Sequence, residues 1–120
     1  MEANFNGKKI LALFDVDKTL TPARQSIQPD MIETYNACIA KGVHMGIVSG
    51  SDYNKVSEQV SMDIVNKSVY CFCENGLLAM KYGVEFDKQS FKDHLGEENL
   101  QRLINFVLRY IADLKIPKKR

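Results

Sequence analysis

Short apolar runs that alternate with segments of helical periodicity are the feature that most constrains the fold of this chain. Residues 9–14 form an apolar run that ends in acidic residues, which is typical of a buried parallel strand. Residues 43–48 and 69–73 form two further runs of the same kind. The sequence therefore predicts three buried strands, spaced widely enough for a helix between each pair.

The intervening segments carry helix signals. Pro29 stands where a first helix begins, apolar residues follow at helical spacing, and Gly42 marks its end. Ser51 is the expected N-cap of a second helix, which carries Tyr53, Val56 and Val60. Strand, helix, strand, helix, strand predicts an α/β fold with a parallel sheet and crossover helices.

The pattern changes after residues 74–76. Residues 77–80 and 84–86 flank Lys81-Tyr82-Gly83, which indicates a β-hairpin. Residues 97–114 predict a long amphipathic helix with one apolar face. We found no internal repeat and no low-complexity segment.

Charge and cysteine content exclude several classes of protein. Sixteen Lys and Arg stand against 15 Asp and Glu, so no global field attracts nucleic acid or a membrane surface. No apolar run approaches the roughly 20 residues of a membrane span. The three cysteines match no disulfide framework, and Cys71 and Cys73 are expected to be buried reduced thiols rather than a metal or redox pair. We expect a cytoplasmic protein.

Two carboxylates follow the first strand, at Asp15 and Asp17. Ligands of open parallel sheets lie beyond the carboxyl ends of the strands. A solvated acidic loop is the simpler interpretation, but a buried strand that delivers paired carboxylates to this edge favours a Mg²⁺ site with a nucleophile. One carboxylate would attack phosphorus, and the other would carry a proton.

Ser49, Gly50 and Ser51 follow the second strand. Small hydroxyl residues and backbone N–H groups at a helix start suit an anion, although a simple helix cap explains them equally well. Arg24 lies a few residues past the carboxylates and is the only arginine in the first hundred residues. It is either a phosphate clamp or an exposed surface residue.

These residues resemble a known family. Phe14 to Thr21 is similar to the first motif of the haloacid-dehalogenase superfamily of phosphotransferases, and the wider match is to its eukaryotic phosphomannomutases. The matching segments are residues 13–21, 24–25, 46–52, 74–77, 94–97, 103–105, 110–112 and 117–120.

The resemblance implies a role for each matching residue. Asp15 matches the Mg²⁺-bound nucleophile. Asp17 matches the general acid/base, whose backbone carbonyl also reaches the metal. Arg24 matches an arginine that contacts the phosphosugar. Ser49, Gly50 and Ser51 match the phosphate-contacting second motif.

The resemblance also implies the reaction and the architecture. The family interconverts mannose 6-phosphate and mannose 1-phosphate, primed by a hexose 1,6-bisphosphate, and so supplies GDP-mannose for glycosylation. Its members form homodimers through a cap domain. We therefore expect a partial haloacid-dehalogenase-like core over residues 1–83 and the beginning of an α+β cap over residues 84–120.

Two departures from the family leave alternatives open. Lys18 replaces a glycine of the first motif, and later family segments, with further phosphate and metal ligands, have no counterpart in this chain. The chain is therefore expected to be an N-terminal portion whose own activity is uncertain. A phosphosugar phosphatase and a non-catalytic fragment or partner module are the alternatives to a mutase.

Overall fold

The first three-quarters of the chain contain a single sheet. Helices lie between its parallel strands and after its last strand. The structure, a computed structural model, describes residues 6–119. The strands are β1 (Leu11–Asp15), β2 (His44–Val48), β3 (Tyr70–Cys73), β4 (Leu78–Lys81) and β5 (Val84–Lys88). The helices are α1 (Pro29–Ala40), α2 (Tyr53–Val60), α3 (Met62–Lys67), α4 (Phe91–Leu95) and α5 (Glu97–Asp113), with a short 3-10 turn at Glu74–Gly76.

The sheet has five strands in the order β1-β2-β3-β4-β5. The first three pair in parallel and the last two are antiparallel, so the predicted parallel strands and the predicted hairpin are confirmed. The hairpin turn is shorter than expected, because Lys81 belongs to β4 and only Tyr82 and Gly83 connect the strands.

The hydrophobic core lies between one face of the sheet and α1, α2 and α3. Alternate residues of β2 and β3 supply its floor. The fully buried side chains include Tyr35, Ile47, Val56, Val60, Ile64, Val65, Cys71 and Cys73. The Tyr35 hydroxyl lies 2.8 Å from Ser68 Oγ, so the polar end of this buried ring has a partner.

The two cysteines of β3 are buried and unbridged, as predicted. Their sulfur atoms lie 3.7 Å apart on the same face of the strand. The hydrogen bond shared with Cys73, together with burial, raises the pKa of the Cys71 thiol. Cys71 is therefore a neutral thiol at physiological pH.

The first strand is less buried than predicted. Ala12 and Phe14 pack against the core, but Leu11 and Leu13 point away from it and are 48% and 45% exposed. β1 is the last strand at its side of the sheet, and the helices of this region all cover the opposite face. A continuous apolar run does not reveal this difference, because both faces carry the same residue types.

The second helix also differs from the prediction. Its N-cap is Asp52 rather than Ser51, and the Asp52 carboxylate accepts the backbone N–H of Lys55 at 2.9 Å. Asp is as effective an N-cap as Ser, so residue type could not decide between neighbours. Ser61, at φ 74°, then separates α2 from an α3 that the sequence did not predict.

The chain divides into two compact units, residues 1–88 and 89–120. β5 belongs to the first unit, whereas the expected domain boundary lay after Gly83; the assignment of residues 84–120 to a cap stays a prediction. In the second unit α4 packs against α5. The long helix predicted over residues 97–114 is confirmed as α5. None of the helices within residues 6–119 is long and apolar enough to span a bilayer.

The Tyr82-Gly83 turn generates a stability prediction. Both residues have positive φ, as a two-residue type I′ hairpin turn requires. A Cβ at Gly83 would overlap the side-chain oxygen of Asn66. We expect Gly83→Ala to lower the free energy of unfolding by about 2 kcal/mol in urea denaturation.

Gly7→Ala is the matched control, because Gly7 has φ +73° and nothing within 4 Å of its would-be Cβ. Gly7→Ala should lower the free energy of unfolding by about 1 kcal/mol, which is the cost of the left-handed backbone conformation alone. Adding Asn66→Ala to Gly83→Ala should restore the part of the unfolding free energy that Gly83→Ala loses beyond the loss in Gly7→Ala. Equal losses in Gly7→Ala and Gly83→Ala would show that Asn66 does not restrict the turn.

Candidate active site

The carboxyl ends of β1, β2 and β3 form one edge with a cleft of about 480 Å³. Asp15, the last residue of β1, pairs in register with Val48, the last residue of β2. The segment after β2 therefore begins beside the Asp15 carboxylate. The residues that line the cleft are Asp15, Val48, Ser49, Gly50, Phe72, Asn75 and Gly76.

Hydrogen bonds to the end of β3 hold the loop of residues 49–51. The Ser49 N–H donates to the carbonyl of Phe72 at 2.8 Å. The N–H groups of Glu74 and Asn75 donate to the carbonyls of Ser51 and Ser49 at 2.9 and 3.1 Å. The main chain of this loop is thus fixed from the neighbouring strand before any ligand arrives.

The interior of the loop is equally constrained. The Ser51 N–H donates to Ser49 Oγ at 3.1 Å, so the two serines interact with each other. A Cβ at Gly50 would lie 3.1 Å from Oδ1 of Asn75, which is tighter than an ordinary contact. Glycine therefore lets the Asn75 side chain lie against the loop at the cleft.

The turn after β1 is anchored by its apolar residues. Val16 and Leu20 are buried, and the Val16 carbonyl accepts the N–H groups of Thr19, Leu20 and Thr21 at 3.0 to 3.2 Å. These contacts fix the backbone on both sides of Asp17. Lys18 lies at the exposed tip with φ 61°, a left-handed conformation that suits the glycine expected there better than lysine.

Two donors hold one oxygen of Asp17. The backbone N–H of Arg24 reaches Oδ1 at 2.9 Å, and the side-chain amide of Gln59 reaches the same atom at 2.8 Å. The Arg24 hydrogen bond and then the Gln59 hydrogen bond hold the pKa of the Asp17 carboxyl below its usual range, with a smaller contribution from the charge of Lys55. Asp17 is therefore ionised at neutral pH.

The structure brings the predicted site residues together in two groups. Asp15, Ser49 and Gly50 line the cleft, and Ser51 supports the loop beside it. Asp17 and Arg24 form the second group through the backbone of Arg24 and are not among the residues that line the cleft. The phosphate contact of the Arg24 guanidinium stays a prediction.

Sequence reasoning missed Phe72, Asn75 and Gly76 at the cleft, and Gln59 beside Asp17. The segment after β3 could have been found, because the third parallel strand ends at the same edge as the first two. Gln59 carries no such signal. It lies 42 residues from Asp17, and its helical position is equally suited to a surface glutamine.

The donor set of the described residues suits Mg²⁺ in one specific way. Within residues 6–119 no group of three His, Cys, Asp or Glu side chains converges on one point. Mg²⁺ prefers one or two carboxylates, with water and phosphate oxygens in its remaining coordination positions. Asp15 and the backbone carbonyl of Asp17 would hold the ion at this edge.

Comparison with known proteins gives a consistent result. The model of the eukaryotic phosphomannomutase family matches residues 31–120, a range that includes Ser49, Gly50 and Ser51. A phosphomannomutase of Schizosaccharomyces pombe is 51% identical over 115 residues, which is 93% of this chain and 44% of that protein. Phosphomannomutase 1 of Mus musculus is 48% identical over 115 residues, 94% of this chain and 44% of that protein.

Solved structures show the same fold at low sequence identity. A phosphatase of the haloalkanoate enzyme superfamily from Bacteroides thetaiotaomicron superposes with a TM-score of 0.67 at 15% identity, over 92% of this chain and 39% of that one. A haloacid dehalogenase-like hydrolase from B. subtilis gives 0.62 at 13% identity, over 83% and 34%. The expected haloacid-dehalogenase-like sheet, as a partial core, is confirmed.

Lys18 is the residue at this edge whose replacement is most informative. We expect Lys18→Gly to raise the free energy of unfolding by about 0.5–1 kcal/mol, because glycine adopts the left-handed conformation without strain. It should also tighten Mg²⁺ binding by about 1 kcal/mol, because a positive charge adjacent in sequence to Asp17 is removed. Urea denaturation and calorimetric Mg²⁺ titration measure the two effects.

Lys18→Ala separates the two causes. Alanine removes the charge and keeps the left-handed strain, so it should reproduce the gain in Mg²⁺ affinity without the gain in stability. If neither variant binds Mg²⁺ more tightly than the parent chain, the Lys18 ammonium does not compete for this site.

Proposed function

The chain belongs to the eukaryotic phosphomannomutase family, and on that premise we propose that its cleft carries the phosphoryl-transfer chemistry of a phosphomannomutase. The reaction interconverts mannose 6-phosphate and mannose 1-phosphate through an aspartyl-phosphate. The observation that carries the proposal is the position of Asp15, which lines one cleft with the Ser49-Gly50 segment.

The chain spans less than half the length of the curated relatives it matches, 44% in both cases. The complete mutase cycle is therefore proposed for a protein that also carries the remaining family segments. The 120 residues contribute the nucleophile, the proton carrier and the phosphate loop.

Asp15 is the proposed nucleophile. A carboxylate oxygen attacks phosphorus, the bond from phosphorus to the sugar oxygen breaks, and the phosphoryl group remains on Asp15. Asp15 is exposed to the cleft at the end of a strand whose register with β2 is fixed, so its carboxylate is held where a phosphate can approach. Bound Mg²⁺ would supply electrostatic stabilisation of the phosphate charge during transfer.

Asp17 is the proposed general acid/base. Ionised at the outset, it takes a proton from the sugar hydroxyl that attacks phosphorylated Asp15, and it returns that proton to the sugar oxygen that leaves in the reverse step. It lies two positions after the nucleophile, on a turn that the buried Val16 and Leu20 hold in place. The two carboxylates therefore serve different steps of one reaction.

The loop of residues 49–51 is the proposed phosphate-binding element. Its backbone is already fixed by the end of β3, so little conformational entropy is lost when an anion binds. The neighbouring Asn75 adds a neutral polar side chain to the same cleft. Arg24 is proposed to contact the phosphosugar from outside the cleft.

The wider assignment follows from the family. We propose a hexose 1,6-bisphosphate as the primer that first phosphorylates Asp15, and a role in GDP-mannose supply for glycosylation. Homodimerisation through the cap and a cytoplasmic location belong to the same proposal, with no nucleic-acid or membrane partner.

The proposal is tested by phosphoryl transfer in the chain itself. With Mg²⁺ and mannose 1,6-bisphosphate, we expect a mannose monophosphate and a mass gain of one phosphoryl group on the peptide that contains Asp15. Asp15→Asn should lower the rate by several orders of magnitude, because a covalent nucleophile is lost. Mass spectrometry must exclude deamidation of the new asparagine.

The same assay separates the alternatives. Sustained release of inorganic phosphate from mannose 6-phosphate identifies a phosphatase. Unchanged bisphosphate in the presence of folded chain identifies a non-catalytic module. Near-parental transfer by a verified Asp15→Asn protein would overturn the assignment of the nucleophile.

A further inference from the structure

Gln59 is a buried polar residue in the last turn of α2, only 8% exposed. Its side-chain amide donates to Oδ1 of Asp17 at 2.8 Å and to the carbonyl of Gln25 at 3.4 Å. The backbone carbonyl of Gln59 accepts the backbone N–H of Ile27 at 2.7 Å. One residue thus holds the loop of residues 17–27 at three points.

The chemistry of these contacts is specific for an amide. A buried polar group without a partner is costly, and here both hydrogens of the Gln59 nitrogen have an acceptor. The shorter of the two contacts goes to the carboxylate, as expected for a charge-assisted hydrogen bond. An apolar side chain at this position could not donate to Asp17, which would keep only the Arg24 N–H.

The consequence concerns the two oxygens of Asp17. Oδ1 accepts two N–H donors, one from Gln59 and one from the Arg24 backbone. Both donors keep the carboxylate plane in one orientation. A proton on Oδ1 would have to displace one of them, so the other oxygen is the one that can exchange a proton.

We propose that Gln59 is a positioning residue for phosphoryl transfer: it fixes Oδ1 of Asp17 and so leaves Oδ2 to carry the proton to and from the sugar oxygen. The inference rests on the acid/base role proposed for Asp17. It does not depend on the identity of the sugar. It assigns to the end of α2 a function that neither the motif nor the cleft reveals.

Helix α2 also connects Asp17 with the loop of residues 49–51. The helix starts at Tyr53, directly after the phosphate loop and its cap Asp52, and it reaches Asp17 within its eight residues. Val56 and Val60 bury its inner face in the core. One rigid element therefore connects the phosphate loop with the proton carrier.

The first test measures whether the Asp17 side chain is held in one rotamer. NMR couplings of the labelled chain should report one χ1 rotamer for Asp17 and slow exchange of the Arg24 amide. Gln59→Met, which keeps the length and removes the donors, should give averaged Asp17 couplings. Gln59→Glu adds a like charge and should displace the Asp17 carboxylate completely.

Gln28→Met is the matched control, because the Gln28 amide donates only to the nearby carbonyl of Ser26 and is exposed. It should leave Asp17 unchanged. Chemical shifts of the core residues report whether each variant is folded. A single, parental Asp17 rotamer in folded Gln59→Met would overturn the proposal, whatever the chain does with phosphate.

The second test uses the leaving group. A sugar oxygen needs a proton as it leaves, whereas acetate leaves acetyl phosphate as a stable anion. We expect Gln59→Met to slow phosphorylation of Asp15 by mannose 1,6-bisphosphate about 10- to 100-fold, with little effect on phosphorylation by acetyl phosphate. Equal slowing with both donors would assign Gln59 a structural role only and overturn the proposal.

The two tests keep the proposals apart. If the parent chain takes phosphate from neither donor, the proposed function fails for these residues, and the Asp17 couplings alone decide the positioning of Asp17 by Gln59. If transfer occurs, the Asp17 couplings of Gln59→Met are averaged and only transfer from mannose 1,6-bisphosphate is slowed, both proposals stand.

Discussion

The parallel pairing of β1 with β2 is the interaction on which the site depends. Its register sets Asp15 beside Val48, so the strand ends and their following loops meet at one edge. The pairing is close on the outer face as well: a side chain at Gly46 would meet Leu13 and the carbonyl of Tyr70. A slip of one residue would turn Asp15 away from the cleft, because successive side chains of a strand point to opposite faces.

The second constraint is the way in which each loop is fixed by an element other than its own strand. The loop after β2 is held by backbone hydrogen bonds from the end of β3. The loop after β1 is held by Gln59 of α2. Such cross-connections keep the reactive groups in place without burying them, which is what an active site open to a phosphosugar requires.

Sequence reasoning recovered the strands and the three longest helices, but it missed α3, α4 and the connections between elements. The apolar runs and helical spacing predicted the three parallel strands, the hairpin and α5, because period and breakers are local properties. Whether a run is buried on both faces is not local, and so β1 was wrongly expected to be fully buried. The cap of α2 was placed one residue early, since Ser51 and Asp52 are both good caps. Asp15, Ser49 and Gly50 were found from their positions after strands, whereas Gln59 reaches Asp17 only through tertiary packing.

The central claim is that Asp15 is a phosphoryl acceptor in a cleft built with the 49–51 loop. Beryllofluoride, which binds a carboxylate in place of a phosphoryl group, tests it most directly in the chain itself. Fluorine NMR should show bound signals that require both Mg²⁺ and Asp15, and the amide shifts of residues 49–51 should move when the adduct forms. The same bound signals in Asp15→Asn, or bound signals that persist without Mg²⁺, would contradict the account.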